Sequence, residues 1–316
     1  MSSIKVAIAL ATFKHEKFIS IAVDGVLNQK TNFGFCAFIG DDASTDNTPS
    51  ICKAYSDKYP NKITFIPRTE NNMRENSKAI YAACLNSEAQ YIALLDGDDY
   101  WTDENKLQKQ LEFLESNPDF SMCFTNHKTV NQNGKIINEI SVGPAHAKNI
   151  SHEEILSNNY FISTASVLIR RSSLPIHLPP AYFNAPNGDY LIYALSTIHG
   201  SAAYININAV AYRVHDSGIW TSRNSTQKYW AMYRTFLVAK KIFTNESEKK
   251  ALKQNLAKIL KNLAWAYLEL PKSEQLKFIG RSFFISIRFG VFKTWMEINS
   301  GLLSLFLKNK LKLKTA

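Results

Sequence analysis

Twice in this sequence an unbroken apolar run passes directly into carboxylates. Tyr91-Ile92-Ala93-Leu94-Leu95 ends in Asp96-Gly97-Asp98-Asp99-Tyr100-Trp101, and Phe35-Cys36-Ala37-Phe38-Ile39-Gly40 ends in Asp41-Asp42-Ala43-Ser44-Thr45-Asp46. Short apolar runs of this kind read as strands buried on both faces, and such strands belong to parallel sheets covered by helices. Ligands of those sheets collect beyond the carboxyl ends of the strands, so both acidic clusters stand where a site is expected. Three carboxylates within four residues repel one another, and away from bulk water that repulsion calls for a cation, usually a divalent metal on oxygen ligands. The plainer reading of the Asp96 cluster is an acidic turn before a helix that Thr102 caps and that runs through Leu107, Leu111 and Leu114. Two such strand ends in one α/β unit argue against chance.

The rest of the front half alternates strand and helix. Lys5 to Ala11 reads as a central strand and leads into Thr12-Phe13-Lys14-His15, after which Ile19, Val23, Val26 and Leu27 recur at helical spacing. Thr48-Pro49 supplies a hydroxyl cap and a first-turn proline for a second helix, Ile63 to Ile66 a third strand, and Ala79, Ile80 and Ala83 a third helix. Repeated β-α-β units predict a mostly parallel sheet in three layers. Further on, Phe120 to Asn126 is a strand, Asn133-Gly134 a hairpin turn, and Ser151-His152-Glu153-Glu154 a capping box. Phe161 to Arg171 is predicted as a strand, Asn187-Gly188-Asp189 as the start of a helix with Ile192, Leu195 and Ile198 on one face, and Ala209 to Val214 as a last strand.

In combination the two acidic motifs resemble the inverting nucleotide-sugar glycosyltransferases of family 2, from about Lys5 to about Trp220. The resemblance implies the GT-A fold, with an Asp-x-Asp motif holding Mn²⁺ or Mg²⁺ on the diphosphate of a nucleoside-diphosphate sugar. It makes Asp98 the metal ligand, with Asp99 and His215 as further metal candidates. Thr12, Phe13, Asp41, Asp42, Asp96 and Gly97 become donor-binding candidates, Phe13 by stacking on the base and Asp42 by accepting from the base edge or ribose. Arg74 or Lys78 would neutralise phosphate, and Met73 stands where many relatives carry glycine. Tyr212-Arg213-Val214-His215-Asp216-Ser217-Gly218-Ile219-Trp220 resembles the segment that closes over the diphosphate, which brings in Arg213, His215 and Trp220. Asp189 is carried over as the base that deprotonates the attacking hydroxyl; at a helix start it would equally serve as a cap.

The expected organisation is a GT-A domain over residues 1–222, with a nucleotide-sugar half (1–126) and an acceptor half (127–222), then a basic helical region over 223–316. Charge follows that division. Of 37 Lys/Arg and 27 Asp/Glu, residues 228–316 hold 18 and 5, so the formal +10 of the chain resides in its tail. Leu237, Ile242, Leu252, Leu256, Ile259, Leu260, Leu263 and Tyr267 mark long helices there, broken at Pro271-Lys272-Ser273. From Phe278 to Leu313, aromatic and aliphatic residues alternate with Arg281, Arg288, Lys293, Lys308, Lys310, Lys312 and Lys314, which fits either an amphipathic contact with an anionic membrane or helices packed on the core.

No run reaches the roughly twenty apolar residues that span a bilayer. The N-terminus leads straight into a strand without a leader, so a cytoplasmic protein, at most peripheral to the inner face of the membrane, is expected. Cys36, Cys52, Cys84 and Cys123 lie singly in apolar stretches and read as buried thiols. A glycine-rich phosphate loop is absent from Ala11-Thr12-Phe13-Lys14-His15, which disfavours nucleotidyltransferases, dehydrogenases and P-loop enzymes. The alternative of another class is a nucleic-acid or membrane binding module on a degenerate GT-A core; no nucleic acid is expected as a partner, and the acceptor would be a saccharide or lipid-linked hydroxyl.

Overall fold

A computed structural model describes residues 4–139, 149–158, 162–268, 270–293 and 295–297. In chain order the elements are β1 (Ile4–Thr12), α1 (Ile19–Leu27), β2 (Gly34–Asp41), α2 (Thr48–Lys58), β3 (Ile63–Pro67), α3 (Met73–Asn86), β4 (Tyr91–Asp96), β5 (Tyr100–Trp101), α4 (Lys106–Ser116), β6 (Phe120–Asn131), β7 (Ile136–Asn138), α5 (His152–Ser157), β8 (Val167–Arg170), α6 (Gly188–Ser196), β9 (Ser201–Val214), α7 (Ser225–Ile242), α8 (Glu246–Leu268) and α9 (Lys272–Phe289). The strands form one sheet in the order β3-β2-β1-β4-β8-β6-β9-β5, with β7 on β6. β1, β2, β3 and β4 run parallel, as do β6 and β9, whereas β8 and β5 pair antiparallel to their neighbours.

The chain divides into two compact units. The first comprises residues 1–152, 160–178 and 192–216 and contains the whole sheet. Its core is made by the apolar runs that the sequence displays: Val6, Ile8 and Leu10 of β1, Ala37 and Ile39 of β2, and Ala93 and Leu95 of β4 pack with Ile19, Val23 and Val26 of α1 and Leu107, Leu111 and Leu114 of α4. The second comprises 153–159, 179–191 and 217–316. Within it, Asn224 and Gln227 close a reciprocal capping box at the start of α7, Leu252, Leu256, Ile259, Leu260 and Leu263 form the buried stripe of α8, and α9 ends at Gly290 in the left-handed region (φ +67°). The break at Pro271 falls between α8 and α9 as the sequence indicates.

Several local expectations change. Thr48 does not cap α2; it occupies the first turn, and its hydroxyl accepts from the His15 backbone N–H at 2.8 Å. Nor does Thr102 cap α4, because its N–H donates to Ala209 at 2.9 Å while the chain makes the short strand β5 on β9. The predicted strand from Phe161 shrinks to Val167–Arg170, since Thr164–Ser166 form a 3-10 turn closed by the Ser166 hydroxyl on Ser163 C=O at 2.7 Å; Phe161 lies outside the described residues. Helix α6 stops at Ser196, which leaves Ile198 exposed instead of on the buried face with Ile192 and Leu195. β6 and β9 run longer than their sequence segments, because each is held by the other along most of its length. Lys308, Lys310, Lys312 and Lys314 lie outside the described residues. All four cysteines are free and buried.

Candidate active site

Sheet order determines what reaches the Asp96–Asp99 turn. β4 lies beside β1, and β5 lies beside β9, so the turn that joins β4 to β5 meets the carboxyl ends of both β1 and β9. On the β1 side, Gly97 N–H donates to Ala11 C=O at 2.8 Å. A Cβ at Gly97 would fall 2.7 Å from Thr12 Oγ1 and 2.9 Å from His15 Nδ1, so only glycine admits this approach. On the β9 side, the Arg213 N–H donates to Asp99 Oδ1 at 2.8 Å. Asp98, between these two attachments, projects its carboxylate to His215 Nε2 (3.1 Å) and His15 Nε2 (3.7 Å).

The three ligand atoms of His15, Asp98 and His215 lie within 4.8 Å of one another. Two imidazoles and a carboxylate make a suitable donor set for a divalent ion, so the residues fit the metal that the fold implies. Their supports are specific. Thr12 Oγ1 lies 3.3 Å from His15 Nδ1, leaving Nε2 toward Asp98, and the Phe18 ring backs His215 at 4.8 Å between centroids. Desolvation lowers the His15 pKa, against the pull of Asp98, and so favours the neutral imidazole that can ligate. Burial pushes the Asp98 carboxyl up, but the hydrogen bond from His215 and the neighbouring imidazoles outweigh it and hold the carboxyl below its ordinary range.

Asp99 is differently placed. It is buried on the Arg213 amide and is not one of the three convergent ligands. Desolvation, with the charges of Asp98 and Asp96, drives its carboxyl well above the ordinary range, against the Arg213 amide that it accepts from. Arg213 is engaged within the protein through Nε and Nη1. Its guanidinium donates to the main-chain oxygens of Asp98 (2.8 Å), Asn131 (3.3 Å) and Gln132 (3.1 Å), and lies over the rings of Phe18 and Tyr100. It ties the acidic turn to the β6–β7 hairpin.

The second acidic cluster closes the adjoining loop. Asp41 accepts from the Ser44 N–H at 2.9 Å, and Lys14 N–H reaches the Ser44 hydroxyl at 2.8 Å. Lys14 (φ +56°) and Ala43 (φ +57°) both sit in the left-handed region, a strained backbone held by these cross-loop bonds. Asp42 accepts from Asn72 N–H (2.7 Å) and the Asn71 amide (3.1 Å), leaving each oxygen a second lone pair. Burial raises its carboxyl pKa, partly offset by the Asn72 amide. Asp96 and Phe13 are partly buried, and Lys14 lies over the Phe13 ring at 5.2 Å. Arg74 and Lys78 are exposed on α3, and Lys78 pairs with Glu75 at 2.6 Å.

Asp189 and Trp220 belong to the second unit. Asp189 stands in the first turn of α6 with solvent access, and desolvation raises its carboxyl pKa. The next residue, Tyr190, is held by a buried triad: its hydroxyl donates to Leu156 C=O at 2.9 Å, and the Asn255 amide of α8 bonds both. Trp220 carries Arg223 and Lys228 over its ring. Neither His15 nor Phe18 is marked as a site residue by the sequence, and Thr48 reads there only as a helix cap. A histidine three residues after the strand-end Thr12 is the signal His15 gives, and its meaning depends on β1 lying beside β4.

The sheet and the acidic turn define an α/β protein of the GT-A class. Residues 7–174 match the model of the family described as Glycosyl transferase family 2, more than half of the 316 residues, and the chain belongs to that family. The uncharacterized protein Rv1520 of Mycobacterium tuberculosis is 32% identical over 230 residues, 71% of this chain and 63% of its own length. This chain therefore spans a little under two thirds of that relative. TuaG of Bacillus subtilis, named for teichuronic acid biosynthesis, is 28% identical over 236 residues, 72% of this chain and 87% of its own. Among solved structures, S. aureus TarS in complex with UDP-GlcNAc superposes with a TM-score of 0.65 at 16% identity, covering 95% of this chain and 92% of TarS. The mannosyltransferase PcManGT from Pyrobaculum calidifontis, in complex with GDP-Man and Mn²⁺, gives 0.57 at 14%, covering 96% and 86%. At these identities the structural likeness carries the fold.

Proposed function

We propose that this chain is a metal-dependent inverting glycosyltransferase, moving a sugar from a nucleoside-diphosphate sugar, UDP-linked, to a hydroxyl of a saccharide or lipid-linked acceptor in bacterial surface polysaccharide synthesis. The observation that carries this reading is the convergence of His15, Asp98 and His215 at the ends of β1, β4 and β9. A divalent ion bound there would supply positive charge to the departing diphosphate. Asp42 and Asp41 would hold the base edge or ribose, with Thr12, Phe13, Asp96 and Gly97 lining the donor site. Arg74, Lys78 and Trp220 would bear on the phosphates or close over them.

In the reaction, Asp189 accepts the proton of the acceptor hydroxyl as that oxygen bonds to the anomeric carbon. The bond from that carbon to the diphosphate oxygen breaks, and the nucleoside diphosphate departs with the electron pair. One displacement inverts the centre. Desolvation raises the Asp189 carboxyl above its ordinary range, the direction that makes it a stronger base. The basic α7–α9 region, with Phe284 72% exposed beside Arg281 and Arg288 in sequence, supports peripheral contact with an anionic membrane carrying a lipid-linked acceptor.

The test is a panel of nucleotide sugars screened by thermal shift with and without Mn²⁺, followed by nucleoside-diphosphate release with the selected donor. Asp98→Asn is expected to lower transfer by at least about 100-fold, the scale of losing a transition-state charge stabiliser. Undiminished transfer by that variant would remove the reading.

A further inference from the structure

We propose that His15 is a third protein ligand, so that His15, Asp98 and His215 together hold a first-row transition-metal dication, Mn²⁺ or its heavier neighbours, before any nucleotide arrives and in preference to Mg²⁺. The inference rests on the functional reading above for the use of the metal, but not for its binding. Asp98 lies between two imidazole nitrogens, at 3.1 Å from His215 Nε2 and 3.7 Å from His15 Nε2. With the donor atoms of all three inside 4.8 Å, the polypeptide presents three ligands, where a site built on one carboxylate would leave most of the coordination to the diphosphate.

The chemistry of the set decides the metal. Mg²⁺ takes oxygen ligands in near-ideal octahedra and surrenders water reluctantly. Imidazole nitrogen favours transition metals, with affinity rising along the first row, and two histidines with one carboxylate are a recurrent arrangement for such ions. The outer contacts argue in the same direction. The Thr12 hydroxyl against His15 Nδ1 sets which nitrogen is free, and the His15 N–H on the Thr48 hydroxyl fixes the loop. Gly97 keeps the space a side chain would take from both Thr12 and His15. Outer-shell partners of this kind orient metal-bound histidines.

The experiment uses the full chain without nucleotide. Mn²⁺ is titrated and free Mn²⁺ is read from its solution EPR signal, then Mg²⁺ is added in large excess. The expected result is one tightly bound Mn²⁺ that a 100-fold excess of Mg²⁺ does not displace. Pulsed EPR of the loaded protein is expected to show nitrogen couplings from two imidazoles, and from one in His15→Gln. That variant should bind Mn²⁺ at least about 10-fold more weakly with an unchanged melting temperature in metal-free buffer, and Thr12→Val should weaken it by roughly 10-fold as an outer-shell change. Coupling to a single imidazole in the wild type, which needs no variant to fold, would overturn the proposal, as would equal Mn²⁺ affinity of His15→Gln or ready displacement by Mg²⁺. Those outcomes leave a site on Asp98 and His215 intact. Unchanged Mn²⁺ binding by Asp98→Asn would instead remove the functional reading itself.

Discussion

Gly97 shows how narrow the tolerances at this turn are. Its missing Cβ faces Thr12 and His15 at 2.7 and 2.9 Å, so Gly97→Ala forces β1 and the acidic turn apart. A loss of about 1–3 kcal/mol in a denaturant titration is expected, the usual scale of overpacking, together with weakened Mn²⁺ binding. Lys106 is the second residue of consequence, because it is fully buried with its ammonium on Gln110 Oε1 at 2.7 Å and over the Trp101 ring at 4.3 Å. Desolvation lowers its pKa to about 7. The unfolded chain therefore binds the proton more tightly than the folded one between about pH 7 and the ordinary lysine range, and stability contributed through this group rises with pH across that window. Replacing it by Lys106→Met should remove that rise, which amounts to roughly 1 kcal/mol per pH unit, and should stabilise the protein at pH 7. Denaturation midpoints at pH 7 and 9 would check it, and an identical pH slope in both proteins would contradict it.

Among the elements, the strand ends were legible and their company was not. An apolar run closed by acids identifies β2 and β4 because burial on both faces removes any alternation from the sequence. Asp99, by contrast, looks equivalent to Asp98 when read along the chain. Both stand in the turn between β4 and β5, and there one meets His215 while the other is buried on the Arg213 amide. Arg213 looks like a phosphate ligand for the same reason, yet its Nε and Nη1 donate to three carbonyls. Lysine lacks the fork needed to serve three acceptors at once. Arg213→Lys is therefore expected to loosen the acidic turn, with a lower melting temperature and Mn²⁺ affinity reduced by about 10-fold in calorimetric titration. If the melting temperature is unchanged and only nucleotide affinity falls, Arg213 serves the ligand and not the turn.

At the level of the whole molecule, no helix among the described residues is long and apolar enough to cross a membrane. Phe284 (72%) and Ile287 (54%) are nonetheless exposed on α9, interleaved with Arg281 and Arg288. Phe284→Glu combined with Ile287→Glu should reduce co-sedimentation with anionic vesicles and leave the fold unchanged, since neither side chain is in the core. Equal sedimentation of the variant would count against membrane contact through this face. The sequence by itself determined the β-α alternation, the two acidic strand ends, the helical basic tail and the family, because each is written in local periodicity or in residues adjacent along the chain. Only the tertiary structure decided that His15 and His215, 200 residues apart, face the same carboxylate. That meeting depends on strand order: one short turn links a strand beside β1 to a strand beside β9, and no local pattern records which strands become neighbours.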